Sequence, residues 1–377
     1  MVAIVIMLRA PLTARSCGPE RRPRPGSRHD QPHADRKPTL SEAGHAEPPG
    51  EPKMIAKIAL EEHFLVPGVE PYWGRTVEDV PPPVRDRLHR QLFDFADLRL
   101  EAMDQAGIGF ALLSVAGPGV QAEPDARLAE RIAREANDLL ANRIRERPDR
   151  YGGLAHLALQ DPGEAASELE RSVSELGLAG AMINGHTNGR YLDDPAFDPF
   201  WERAQALGAP IYLHPTDPVA PAPVLEGHRA LRRATWEWTF ETGSHALRLV
   251  FSGLFDRFPR LTLVLGHLGE ALPYMLGRFD SRAKLYGVRL ARPPSEYIRR
   301  NIAVTTSGMN SIEPLRCALD ALGENRVMFS SDYPFETITE ASEFIDSAPI
   351  DEEQRKRICA GNAIKLFGLK PTVGAGA

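Results

Sequence analysis

The sequence predicts a (β/α)8 barrel, an eight-stranded parallel sheet closed on itself with a helix after each strand. Three observations predict it. From Met54 onward, short β-rich runs alternate with amphipathic helical stretches eight times. Most of the runs are near-continuously apolar, as in Thr262-Leu263-Val264-Leu265 and Arg326-Val327-Met328-Phe329. Strands read this way when both faces are buried, as in a parallel sheet. No G-x-G-x-x-G turn follows the first run, which argues against an open dinucleotide-binding sheet.

Taken in order, the strands are expected at Lys57–His63, Gly109–Val115, Tyr151–Leu159, Gly180–Gly185, Pro210–Pro215, Leu261–His267, Ile302–Gly308 and Arg326–Asp332. An early helical stretch covers Asp97–Gly107. Others, with an apolar residue every three to four positions, cover Leu128–Ile144, Ala165–Leu176, Ser244–Phe258 and Ser311–Leu322. Asp161-Pro162 and Asp194-Pro195 each place an N-cap before a proline at the first helical position. The proline-rich Thr216–Arg233 stretch lacks periodicity and is expected to be a lid or wall of the site.

Composition sets the class. The chain has 377 residues, 42% hydrophobic and 25% charged, with a formal net charge of −6. That mild acidity gives no support to a nucleic-acid or anionic-membrane partner. No apolar run approaches the roughly 20 residues that span a bilayer. The three cysteines, Cys17, Cys317 and Cys359, form no CxxC pair, which fits a reducing cytoplasm. Residues 1–53 read differently, with a basic, proline-rich segment at Arg21–Arg28. Such composition buries too little apolar surface to order itself. The expectation is a disordered extension, with Met54 as the natural start of a single catalytic barrel over residues 54–377.

In such barrels chemistry sits where strands end. Strand one ends Leu60-Glu61-Glu62-His63, strand five Leu213-His214-Pro215, strand six Gly266-His267-Leu268-Gly269-Glu270 and strand eight Ser330-Ser331-Asp332-Tyr333-Pro334. Glu61 and His63 are two apart, so they face one side of a strand; Glu62 faces the other, towards a helix or a salt bridge. Glu61, His63 and His214 suit a borderline divalent ion such as zinc or manganese, with Asp332 as a fourth ligand. Glu270 lies close enough in sequence to set the tautomer of His267, which is expected at Asp332 or the substrate; the bland alternative is a helix-capping histidine.

The remaining candidates are weaker. His245 is expected in a helix–barrel contact and His156 in the core, while His186 and Asn184 follow strand four at the correct end for substrate. His228 lies on the lid, and Trp236 and Trp238 line an aromatic site or pack the lid. Arg99 is expected on a solvated helix face, or at a substrate carboxylate if it faces the mouth.

These motifs resemble the metal-dependent amidohydrolase superfamily, and within it the branch of γ-resorcylate and 2,3-dihydroxybenzoate decarboxylases. The resemblance runs from Lys57 to Leu369. It rests on Ala59–Phe64, Tyr212–Pro215, Gly266–Glu270, Thr305–Gly308 and Ser331–Glu336 in that order. It implies Glu61, His63, His214 and Asp332 as ligands of one metal ion, and His267, supported by Glu270, as catalytic partner of Asp332. Strand one carries Glu-x-His instead of His-x-His, and strand four has no lysine to bridge two metals, so a single ion is expected. One departure stands out. Relatives tend to carry Arg-Asn after the His-Pro, whereas this chain has Thr216-Asp217.

The implied reaction is non-oxidative decarboxylation of a hydroxybenzoate-type aromatic acid. The metal chelates the carboxylate and ortho oxygen, and Asp332 protonates the ring carbon with His267 as partner. The alternative is hydrolysis of an amide, ester or lactone by a metal-activated water. A third reading is a metal-free binding protein, whose signature would be a lost ligand; none is missing. The resemblance also suggests a homodimer or homotetramer.

Overall fold

The computed structural model describes residues 56–370. The expected extension before Met54 lies outside the described residues. Nine strand segments run β1 (Lys57–Phe64), β2 (Ile108–Val115), β3 (Tyr151–Gly153), β4 (Ala155–His156), β5 (Ala181–Asn184), β6 (Ile211–His214), β7 (Leu263–Leu265), β8 (Ile302–Thr305) and β9 (Val327–Met328). Each pairs in parallel with its neighbour, in the orders β1-β2-β3 and β4-β5-β6-β7-β8-β9.

Two seams join these ladders into eight barrel strands. β3 and β4 are one strand interrupted at Leu154, whose N–H donates to the Leu113 carbonyl at 2.9 Å while Ala155 N–H turns to Gly180 at 2.9 Å. Between β9 and β1 no regular ladder forms. Ser330 Oγ accepts instead from the N–H groups of Leu60 (3.1 Å) and Glu61 (2.7 Å), and His63 N–H donates to the Tyr333 carbonyl at 2.8 Å. The eighth strand is therefore shorter than expected. From Phe329 onward its backbone bonds leave the ladder for Ile358 and the Thr306 hydroxyl.

The seam at Ser330 coincides with a register shift in β1 between Ala59 and Glu62. Ile58 and Leu60 join the apolar plug inside the barrel with Met182, Tyr212 and Val264. Strict alternation would then send Glu62 inward. The bulge changes phase, and Glu61 and His63 turn to the mouth instead. A second, larger core fills the layer between sheet and helices, where Ile183, Leu213, Leu265 and Val304 meet residues such as Leu140, Leu169, Phe200 and Leu315.

The helices follow the periodicity closely. The stretch from Leu128 becomes Ala126–Glu146, and that from Ala165 becomes Pro162–Ser174, capped by Asp161 accepting from Gly163 and Glu164 N–H. Asp194 caps a short 3-10 turn leading into the helix Asp198–Leu207. The stretch Ser244–Phe258 begins earlier and divides into Glu237–Phe251 and Leu254–Arg257 at the left-handed Gly253.

Candidate metal centre and catalytic cavity

Glu61 and His63 from β1, His214 at the end of β6, and Asp332 just beyond β9 each offer an atom within 4.8 Å of the others. The surroundings divide the work of each side chain. Glu61 Oε2 accepts from the hydroxyls of Tyr212 and Ser307, which are themselves bridged by Thr305 Oγ1 at 2.7 and 2.6 Å. Gly266 packs on the same carboxylate; a Cβ there would lie 2.6 Å from Glu61 Oε2. His63 Nδ1 lies 3.3 Å from Ser114 Oγ, and its Nε2 lies 3.3 Å from Asp332 Oδ1. His214 Nε2 lies 3.4 Å from Glu61 Oε1.

Glu61 Oε1, His63 Nε2 and Asp332 Oδ1 are buried and accept or donate no hydrogen bond among the described residues. Buried polar atoms without partners are rare and costly. Three converging on one point, with His214 beside them, fit a divalent cation of borderline softness. Burial lifts the Glu61 carboxyl above its ordinary range, against the lowering effect of His267. Burial also holds His214 well below the usual histidine value, with His63 adding to the effect.

Beyond β7 the chain makes a left-handed turn. His267, Leu268, Glu270 and Ala271 have φ of 50, 53, 52 and 62°. Non-glycine residues seldom adopt this region, and it concentrates at functional sites. The turn brings His267 Nδ1 to 2.7 Å from Glu270 Oε1, and its Nε2 lies 3.7 Å from Asp332 Oδ2. Desolvation disfavours the charged imidazole, but Glu270, Glu61 and Asp332 outweigh it and raise its pKa well above the usual value. Desolvation likewise opposes ionisation of Asp332, yet the neighbouring imidazoles of His267 and His63 hold it down at about 2. Oδ1 of Asp332 faces the cluster and Oδ2 faces His267.

Two expectations need correction. Among the described residues Glu62 makes no salt bridge; its partners are the serines before Asp332. Its Oε1 accepts from Ser331 N–H (3.1 Å), Ser331 Oγ (2.9 Å) and Ser330 Oγ (3.2 Å), and burial pushes its carboxyl up to about 7. It clamps β1 to the segment that carries Asp332. Arg99 is neither on a solvated face nor at a substrate carboxylate: it is 1% exposed. Its Nη2 donates to the His63 carbonyl, its Nε to the Asp94 carbonyl at 3.1 Å, and its guanidinium lies 4.8 Å from the Tyr333 ring centre. The short helix Leu98–Gln105 is too polar for its sequence to reveal a buried side.

The cluster opens into a cavity of about 240 Å³. This is smaller than the roughly 300–1,000 Å³ typical of drug-sized ligands, and suits a single ring. Trp73, Val77, Val80, Leu88, Trp238 and Phe335 supply apolar walls; His214, His267, Asp332 and Glu336 line it, as do Thr216, Asp217 and Arg233. The wall from Trp73 to Leu88, on the helices Glu70–Thr76 and Pro82–Phe93, went unread in the sequence. Its signal was the unusual length of chain between the first strand and the helix at Leu98.

The other candidates separate clearly. Trp238 lines the cavity and donates Nε1–H to Asp217 at 2.8 Å, whereas Trp236 is 53% exposed and takes no part. His186 accepts from Gly189 N–H at 3.1 Å and reaches the Asp217 carbonyl at 3.2 Å, in an adjoining cavity of about 460 Å³. Asn184 is buried, its amide 3.5 Å from the Val115 carbonyl, and His228 is exposed. His156 and His245 are buried acceptors, from Val120 N–H and Leu192 N–H at 2.9 Å each. Among the described residues no helix is long and apolar enough to cross a membrane.

A closed parallel barrel with this carboxylate–imidazole cluster at its strand ends defines a class of metal-dependent barrel enzymes. The family model described as Amidohydrolase matches residues 61–369, and the chain belongs to that family. Among its relatives, the gamma-resorcylate decarboxylase of Rhodococcus jostii (strain RHA1) is 44% identical over 334 residues, spanning 84% of this chain and 99% of the relative. A crystal structure of 2,6-dihydroxybenzoate decarboxylase complexed with 2,6-dihydroxybenzoate is 41% identical, with a TM-score of 0.78, covering 84% of this chain and 100% of that one. The dihydroxybenzoic acid decarboxylase of Polaromonas sp. JS666, solved with manganese and 2-nitroresorcinol, is 40% identical, with a TM-score of 0.78 and coverage of 84% and 98%.

Proposed function

We propose that the protein is a metal-dependent carboxy-lyase that decarboxylates a hydroxybenzoate of the 2,6-dihydroxybenzoate type without oxidation. The observation that carries this reading is the His267–Asp332 pair, set against the four-residue cluster inside a cavity the size of one ring. The relatives' activities and their aromatic ligands support it.

Glu61, His63, His214 and Asp332 would hold one divalent ion, manganese or zinc. When bound, such an ion supplies Lewis-acid stabilisation to the substrate's carboxylate and phenolic oxygen. The chain's own residues do the rest. Trp73, Val77 and Phe335 pack the ring and exclude water. His267 holds the proton in the resting site, kept there by Glu270. That proton passes to the ring carbon bearing the carboxylate, with Asp332 Oδ2 as the relay between them. The carbon–carbon bond then breaks, its electron pair restores the aromatic ring, and carbon dioxide leaves. Asp332 is thus the group that delivers the proton, and His267 the group that stores it.

Residues 54–377 are the catalytic unit in this reading. The free thiols of Cys317 and Cys359 are in keeping with a reducing, cytoplasmic setting. The exposed side chains of Phe240 and Tyr274 favour assembly into a homodimer or homotetramer.

The test is incubation of manganese-loaded protein with 2,6-dihydroxybenzoate, following its ultraviolet band and released carbon dioxide. Stoichiometric carbon dioxide and resorcinol are expected. Cleavage of a model amide, ester or lactone, without decarboxylation across a panel of hydroxybenzoates, would replace this reading with hydrolysis.

A further inference from the structure

We propose that the chamber of about 460 Å³ beside the catalytic cavity is a second binding site, which takes a hydroxylated aromatic carboxylate. The site stands on its own residues; only the kinship of its ligand to the substrate rests on the decarboxylase reading above. Its volume lies within the roughly 300–1,000 Å³ typical of small-molecule sites. Thr76, Pro118, Thr216 and Asp217 line both spaces, so a single layer of residues separates them.

That layer is firmly built. Thr216 is 7% exposed and packs on Gly185, whose φ is 68°; a Cβ on Gly185 would lie 2.2 Å from Thr216 Cγ2. Asp217 turns its carboxylate to the catalytic side, where Oδ1 lies 3.3 Å from Arg233 Nε and accepts from Trp238 Nε1–H at 2.8 Å. Its carbonyl is held from the chamber side, 3.2 Å from His186 Nε2. His186 Nδ1 accepts from Gly189 N–H at 3.1 Å, so the ring carries its proton on Nε2 and both nitrogens are engaged. His186 therefore braces the wall.

What the wall leaves unengaged describes the ligand. Gln121 lines the chamber at 1% exposure and donates Nε2–H to the Leu157 carbonyl at 2.6 Å. Its Oε1 is buried and has no hydrogen-bond partner among the described residues. Such an atom is costly, and an amide oxygen can only accept, so the ligand brings a hydroxyl. Arg75, exposed in the last turn of the helix Glu70–Thr76, has no acidic partner among the described residues, and the Asp217 carboxylate is already taken by Arg233. The ligand is therefore an anion, and a planar guanidinium suits a carboxylate. Tyr72, Pro118, Ala122, Pro218 and Val219 supply apolar wall, the Tyr72 hydroxyl being spent on Glu123. A cation, an acceptor and apolar walls together fit a hydroxylated ring that bears a carboxylate.

The experiment counts bound molecules. Manganese-loaded full-length protein is dialysed to equilibrium against 3-hydroxybenzoate. This acid has no hydroxyl ortho to its carboxylate, so the proposed reaction does not consume it. At concentrations that saturate the wild type, the count per chain is expected to fall by one in Arg75→Gln. That corresponds to a weakening of roughly tenfold or more, the scale of a hydrogen bond to a charged group. The site so lost is expected to prefer 3-hydroxybenzoate to benzoate about fivefold, the scale of one neutral hydrogen bond. Gln121→Met should abolish that preference and leave benzoate bound. An unchanged count in Arg75→Gln overturns the inference. So does an equal weakening of every bound molecule, which would mean a long-range field in place of a site. Equal affinity for the two acids at that site in the wild type overturns the hydroxylated ligand. Carbon dioxide release from 2,6-dihydroxybenzoate is followed in parallel. Its absence, with the count still falling by one in Arg75→Gln, sinks the decarboxylase reading and leaves the second site standing.

Discussion

Glu61, His63, His214 and Asp332 sit on strand ends that a closed sheet holds in place, whereas Asp217 and Arg233, lining the same cavity, sit on a loop held by side-chain bonds. On the strand side every ligand-bearing segment is tied to its neighbour by backbone ladders or by Ser330, Ser331 and Glu62. On the lid side, the loop before and within the 3-10 turn Pro223–Leu225 leaves Val219 and Val224 exposed at 65% and 81%. The ligand cluster stands on the ladder-held side and the Asp217–Arg233 pair on the loop side. A loop can change its residues without moving a metal ligand, which is how one barrel serves several substrates.

The largest test of that contrast is Asp332→Asn. It removes both a ligand and the proton relay, so turnover should fall by roughly three to four orders of magnitude, with loss of bound metal by elemental analysis. Retention of both would dissolve the cluster as the seat of chemistry. Arg99→Met removes a buried cation that braces the His63 carbonyl, and should cost about 3 kcal/mol in urea unfolding. A cost under about 0.5 kcal/mol, the level of a neutral surface change, would mean the strand side is held by its ladders alone.

Glu270→Gln is a gentler probe. Glu270 raises the pKa of His267, so its loss should slow turnover by about 10- to 100-fold and move the alkaline limb of the rate profile to lower pH. An unmoved limb would separate Glu270 from proton storage. Acid sensitivity is smaller again. Burial depresses both His156 and His245 from 6.5 to about 3. Between those values the unfolded chain takes up protons the native one refuses. Stability is therefore fully present above pH 6.5 and is lost as pH falls towards 3, by about 1.4 kcal/mol per pH unit per histidine. His156→Gln should remove one histidine's share of that slope, measured by urea unfolding at stepped pH. The smallest effect is expected on the lid: Val224→Ser should change stability by less than about 0.5 kcal/mol. A larger loss would show that the lid, too, carries the fold.

Much of this was legible beforehand because parallel barrels write themselves plainly. Thr262–Leu265 could only be a strand buried on both faces, and His214-Pro215 could only sit where such a strand ends. The cluster residues followed from that placement. Arg99 did not, because its burial depends on Tyr333 and the His63 carbonyl arriving from distant parts of the chain. Glu62 does point away from Glu61 and His63, as alternation requires, but its partners Ser330 and Ser331 lie 268 and 269 residues further on, so they could not be read beside it. Trp73 and Leu88 were missed because short helices inside a loop carry little periodicity of their own.

The sequence by itself determined the alternation of strands and helices, the strand-end carboxylates and imidazoles, and the kinship that follows from their order. These are local or ordered along the chain, so composition and spacing carry them. Only the tertiary structure decided which oxygen of Glu61 stays free, which oxygen of Asp332 faces His267, and which arginine lines the cavity. Each depends on a neighbour remote in sequence: Tyr212 and Ser307 for Glu61, Asp332 for His267, and for Arg233 the carboxylate of Asp217 across the lid. Protonation and orientation are set by whatever the fold brings within a few ångströms, and no reading along the chain contains that distance.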